Sequence, residues 1–150
     1  MKYAQHTAVS SERSKAEIER LLTRYGATSF ASGWQNDQAV IQFHMSSRRI
    51  KFVLPLPSKT SKAFTHSKRG IRDERTIYKL WEQATRQRWR ALALVIKAKM
   101  EAVESGISEF EDEFLSNIVM PDGKTVAEHA RPMIESAYNT GKVAALLPGW

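Results

Sequence analysis

Residues 28–56, TSFASGWQNDQAVIQFHMSSRRIKFVLPL, decide the fold, because apolar residues recur here at every second position instead of at helical spacing. Ala39, Ile41 and Phe43, with Met45 beyond, alternate against Val40, Gln42 and His44. Ile50, Phe52 and Leu54 then alternate with Lys51 and Val53. Trp34-Gln35-Asn36-Asp37-Gln38 reads as a turn after a first strand around 28–33, and Ser46-Ser47-Arg48 as a hairpin turn. Pro55 and Pro57 end the ladder, since proline has no N–H to donate to it. The pattern predicts a three-stranded antiparallel meander. One face is apolar and the other carries Gln42, His44, Arg49 and Lys51.

On either side the period becomes helical. Ser14-Lys15-Ala16-Glu17 fits a capping box, and Ile18, Leu21, Leu22 and Tyr25 fall at i, i+3, i+4 and i+7 before Gly26. Residues 1–13 are expected as a flexible N-terminal arm and 14–150 as one domain, in keeping with the length. Residues 57–73 have few apolar anchors and many Ser, Thr, Lys and Arg. They read as a long basic loop inside that domain, carrying Phe64 among its cations. Asp73 can cap a long central helix over 74–104. Its Ile77, Leu80, Trp81, Ala84, Leu92 and Val95 share one sector, and Trp89, Ile96 and Met100 form a second apolar flank. Arg88 and Lys99 fall inside the apolar sector and need partners, for which Glu109, Glu111, Asp112 and Glu113 are at hand. Residues 107–120 read as an amphipathic helix on Phe110, Phe114, Leu115 and Ile118. Thr125 caps a last helix to about 139, bent or split by Pro132, and 144–150 is an apolar tail. The fold class expected is therefore α+β: N-terminal helix, three-stranded meander, long basic loop, long central helix and two or three C-terminal helices.

Charge is as unevenly spread as hydropathy. From Arg48 to Lys99 there are fifteen bases and three acids; from Glu101 onward there are nine acids and three bases. A chain polarised in this way has a polyanion among its expected partners, nucleic acid above all. Arg75, Lys79, Arg86, Arg90 and Lys97 lie on one stripe of the central helix, about 33 Å long at 1.5 Å per residue. With Arg48, Arg49 and Lys51 of the sheet and Lys59, Lys62, Lys68, Arg69 and Arg72 of the loop, they are the residues expected to meet phosphates. Trp34 and Phe64 are the aromatics least explained by packing and the candidates for stacking on unpaired bases, whereas Trp81 reads as core.

Enzyme chemistry finds little support. The four histidines are scattered without metal-ligand spacing, and no cysteine offers a nucleophile, a disulfide or a thiolate ligand. Neither G-x-S-x-G nor a full phosphate loop occurs, and Asp122-Gly123-Lys124-Thr125 lacks the leading glycine. His6-Thr7 supplies half of a paired His-x-Thr arrangement and no second half exists. Asp37 is the one acid in the sheet region, too few for a metal-dependent nuclease. No catalytic residue, cofactor or metal is expected. With no spanning segment and no secretory h-region, the expected setting is cytoplasmic, without membrane contact.

The segments AEIERLLTRYGA, RRIKFVLPLP, WEQATRQRWRALALVIKAKMEAVESGI and PDGKTV resemble a family of short, uncharacterised proteins of tailed bacteriophages and prophages. The resemblance covers most of the chain from Ser14 to Trp150 and implies action in an infected bacterium; it carries over no catalytic residue. The expected function is non-catalytic binding of nucleic acid with little sequence preference, single-stranded DNA in phage replication or recombination. The alternative is a protein-interaction module that docks on a host protein or self-assembles through its helices. The apolar flanks of the central helix and the tail also predict a homo-oligomer.

Overall fold

A computed structural model describes the backbone of residues 2–143 and the side chains of residues 11–143. Eight elements carry the α+β architecture: α1 (Lys2–Arg24), the strands β1 (Ser29–Gln35), β2 (Gln38–Met45) and β3 (Arg48–Pro55), then α2 (Lys62–Thr65), α3 (Glu74–Glu104), α4 (Phe110–Glu113) and α5 (Val126–Thr140). A two-residue ladder, β4 (His66–Ser67) with β5 (Gly70–Ile71), sits between α2 and α3. The expected meander is present, ordered β1-β2-β3 and antiparallel throughout. Ser46 and Ser47 both take positive φ, 53° and 60°, which a two-residue hairpin of primed type requires. β1 runs two residues into the expected turn, so Trp34 lies within the strand, opposite Ala39.

Ile41, Phe43, Ile50 and Phe52 point to one side of the sheet and are buried there with Ile18 and Leu22 of α1 and Trp89, Ile96 and Met100 of α3. Phe114 closes the far end of this core. Its ring meets those of Phe43 and Phe52 edge-on, both at 6.1 Å, and Phe110 at 4.9 Å.

Four expectations need correction. First, helix α1 begins at Lys2, so residues 2–13 are helical and no cap forms at Ser14. Second, the buried face of α3 is not a single sector. Its C-terminal half buries Trp89, Leu92, Ala93, Ile96 and Met100, while Val95 is exposed. Its N-terminal half leans on residues 57–73 through Ile77, Leu80 and Trp81, a stripe roughly 100° away around the helix. The helix changes partner along its length, and the buried face turns with it. Arg88 consequently stands exposed and donates to the Pro55 carbonyl, whereas Lys99 does meet Glu113 at 3.5 Å. Third, residues 107–120 do not form one helix. After α4 and a 3-10 turn (Leu115–Asn117) the chain extends, and Ile118 bridges to Ile50 while the Val119 N–H donates to the Arg49 carbonyl. Free backbone groups on the β3 edge thus outcompete helix formation, and the edge is covered.

Fourth, residues 57–73, expected as a loop throughout, contain α2 and the β4–β5 ladder. The Trp81 indole N–H donates to the Pro57 carbonyl at 2.7 Å, and the Arg72 guanidinium donates to the Ala63 and Phe64 carbonyls. The C-terminal helix α5 is continuous through Pro132; the Thr125 side chain caps it and Gly141, at φ 72°, ends it. It buries none of its residues. The tail 144–150 lies outside the described residues.

Candidate nucleic-acid interface

The expected phosphate-binding residues separate into three places. Arg49 and Lys51 alternate with the buried Ile50 and Phe52, so they leave the sheet on the side away from the helices, beside His44 and Gln42 in register. Arg48, next to them in sequence, is engaged by Glu111 at 3.1 Å. Lys62, Lys68 and Arg69 are exposed on the element preceding α3, with Arg75 and Lys79 on the first turns of α3 itself. Arg72 is committed to holding that element's backbone. Phe64 is half-buried there instead of free.

The third place is a groove between two helices. Helices α1 and α3 pack together, and beside their contact runs a groove of about 380 Å³ walled by Arg20 and Arg24 on one helix and Arg90 and Lys97 on the other. Ile18, Leu21 and Ala93 form its apolar floor, and Glu17 is its one acid. Why the cations stand there follows from periodicity. Arg20 and Arg24 are one turn apart on the face of α1 left over once Ile18 and Leu22 are buried, and Arg90 and Lys97 flank Ala93 on α3. Among the described residues none of these four makes an ion pair. Arg86, expected in the same stripe, is instead bonded at 3.1 Å to Glu82, whose side chain is buried. The groove therefore concentrates positive charge over a low-dielectric floor, an arrangement that attracts an anionic chain. Arg20 and Arg24 escaped the sequence reading because the charge excess begins at Arg48; their signal was the i, i+4 spacing opposite an apolar stripe.

On the other flank of the same helix pair lies a second cavity, of about 310 Å³, between α1, the β1–β2 turn and α3. Three of the four tryptophans reach it: Trp34, Trp81 and Trp89. The Lys59 ammonium sits 4.3 Å from the Trp81 ring centre and that of Lys15 sits 5.3 Å from Trp89. Trp89 is buried, as a core residue should be, but Trp34 is 76% exposed.

Two carboxylates are held below their ordinary value of 3.8. Asp73 is lowered chiefly by its hydrogen bonds from Thr76 at the start of α3. Asp122 is lowered by the Lys124 N–H and then by His129, 2.7 Å away. Both explain local structure and neither adjoins the groove. Among the described residues no three His, Cys, Asp or Glu side chains gather as a metal site, and no helix is long and apolar enough to cross a membrane. No family model matches the chain, and neither a curated protein nor a solved structure does.

Proposed function

We propose that this chain is a non-catalytic nucleic-acid-binding protein of bacteriophage origin that takes single-stranded DNA with little sequence preference, in phage DNA replication or recombination in the cytoplasm of an infected bacterium. The observation that carries the reading is the α1–α3 groove, where four cations from two helices converge without ion-pair partners among the described residues. Phosphates would replace their hydration and release condensed counterions, which needs no sequence readout. Trp34, uncovered beside the same helix pair, favours a strand with unpaired bases over a duplex. Single strands and duplexes of about 30 nucleotides, offered at about 50 mM salt, test the reading by electrophoretic shift. The single strand should shift at lower protein concentration, and no shift by either would reject it.

One observation favours the alternative, a module that docks on a host protein or on itself. Helix α5 buries no residue and leaves Ile134 and Tyr138 54% and 87% exposed. A face of this kind suits contact with a partner. It is compatible with strand binding, because an oligomer would multiply groove contacts along one strand.

A further inference from the structure

We infer that the tryptophan-walled cavity is a site for one unstacked nucleobase with its attached phosphate. The inference takes its ligand class from the strand-binding reading above. The first observation is the position of Trp34. It lies on the side of β1 that faces the helices, in register with Ala39, which is 1% exposed. Phe30 on the same side of β1 packs against the core. Trp34 is the one large apolar side chain of that row left exposed, at 76%, at the mouth of the cavity that it lines. An indole kept at a cavity mouth offers a planar face to a planar group.

The second observation is charge. Lys15 and Lys59 already lie over the Trp89 and Trp81 rings and outnumber the one lining carboxylate, Asp37, so a cationic ligand would meet a net like charge and find those faces occupied. A ligand combining an aromatic plane with a nearby anion suits the same two ammonium groups, and a nucleotide unit is that combination. The third is size and polarity. About 310 Å³ is at the lower end for small-molecule sites, room for one base with its sugar and not for a helix or a folded loop. Asn36 and Asp37, in the β1–β2 turn, line the cavity with an amide and a carboxylate, groups that pair with base edges. A carboxylate only accepts, so bases presenting N–H groups are held there without a strict code.

The test compares an oligodeoxynucleotide with an abasic strand of equal length, in wild type and in Trp34→Ala, together with tryptophan quenching by a free deoxynucleoside monophosphate and by inorganic phosphate. Trp34 is exposed, so the variant should retain its melting temperature, and Trp34→Phe should restore most of the binding. The expected result is a preference of about tenfold for the base-bearing strand, about 1.4 kcal/mol, that disappears in Trp34→Ala. Quenching should follow the monophosphate and not phosphate alone. Equal binding of both strands by wild type would overturn the base site and leave the phosphate groove standing. Quenching by the monophosphate without binding of any strand would support the base site and reject strand binding. Absence of both would reject both.

Discussion

The groove makes a numerical prediction about salt. Four cations without ion-pair partners among the described residues, Arg20, Arg24, Arg90 and Lys97, imply about four phosphates neutralised on a single strand, and so a slope of log affinity against log salt of about −2.8. Raising salt fourfold, from about 50 to about 200 mM, should then weaken binding roughly 50-fold. Converting Arg90 and Lys97 to Gln removes two of the four, so the slope should fall to about −1.4 and the same salt change should cost only about sevenfold. Both side chains are exposed and unpaired, and the stability change should stay near ~0.5 kcal/mol per site. Arg86 is left alone, since Arg86→Gln would remove the cation bonded to the buried Glu82.

Fluorescence anisotropy of a labelled strand at four or five salt concentrations measures both slopes. Arg49→Gln with Lys51→Gln is the control, because these cations leave the sheet on the side away from the helices. It should lower affinity little and leave the slope near that of wild type. The opposite pattern, with the groove variant unchanged and the sheet variant flattened, would refute the assignment and move the interface to the sheet. A wild-type slope near zero would refute phosphate binding altogether.

The remaining predictions concern the scaffold that holds the groove. Phe114→Ala, at a fully buried ring in contact with three others, should destabilise by about 3–5 kcal/mol and lower the melting temperature by roughly 10 °C, read by calorimetry. Arg88→Ala should change stability by no more than about 0.5 kcal/mol, since that side chain is exposed; a loss of several kcal/mol would mean it answers a buried acid after all. Ser46→Asn with Ser47→Gly should raise the melting temperature by a few degrees, because both positions hold positive φ. The Asp73 carboxylate is lowered in the folded state, so its contribution is present above its ordinary 3.8 and lost as pH falls through the folded value. Asp73→Asn should keep the cap and lose that part of the acid dependence, visible as a smaller fall in melting temperature below pH 4. Light scattering should find a mass above 17.1 kDa that decreases when Ile134 and Tyr138 become Ser; a monomer at micromolar concentration would reject self-association.

How far the sequence could be read depended on whether the deciding contact was local. The meander was legible because a period of two fixes which residues share a face, whatever lies opposite. The start of α3 was legible because Asp73 caps it through its own next turn. Residues 107–120 misled the reading, since the helical spacing of Phe110, Phe114 and Ile118 is genuine and two of these do enter the core. What breaks the helix is the open edge of β3, some 65 residues away in sequence, where Asn117 also donates to the Lys51 carbonyl. No local pattern announces such a bond. The loop of 57–73 was misjudged for the same reason, since its anchor is the Trp81 indole on Pro57.

The groove and the tryptophan cavity show the same division more sharply. Charge counts ranked the cations by density along the chain, whereas a charged surface is built by their density in space. Arg48 and Arg72 scored as well as Arg90, yet one is bonded to Glu111 and the other to two backbone carbonyls. Arg20 and Arg24 lay outside the basic stretch and joined Arg90 and Lys97 along one groove only when α1 packed on α3. Trp34 and Trp81 were assigned opposite fates, ligand and core, and they line one cavity. A cation is available to a phosphate only if the fold leaves it unpaired, and an indole to a base only if the fold leaves its face uncovered. Both conditions depend on residues tens of positions away, so the chemistry of this surface is a property of how α1, α3 and the β1–β2 turn meet.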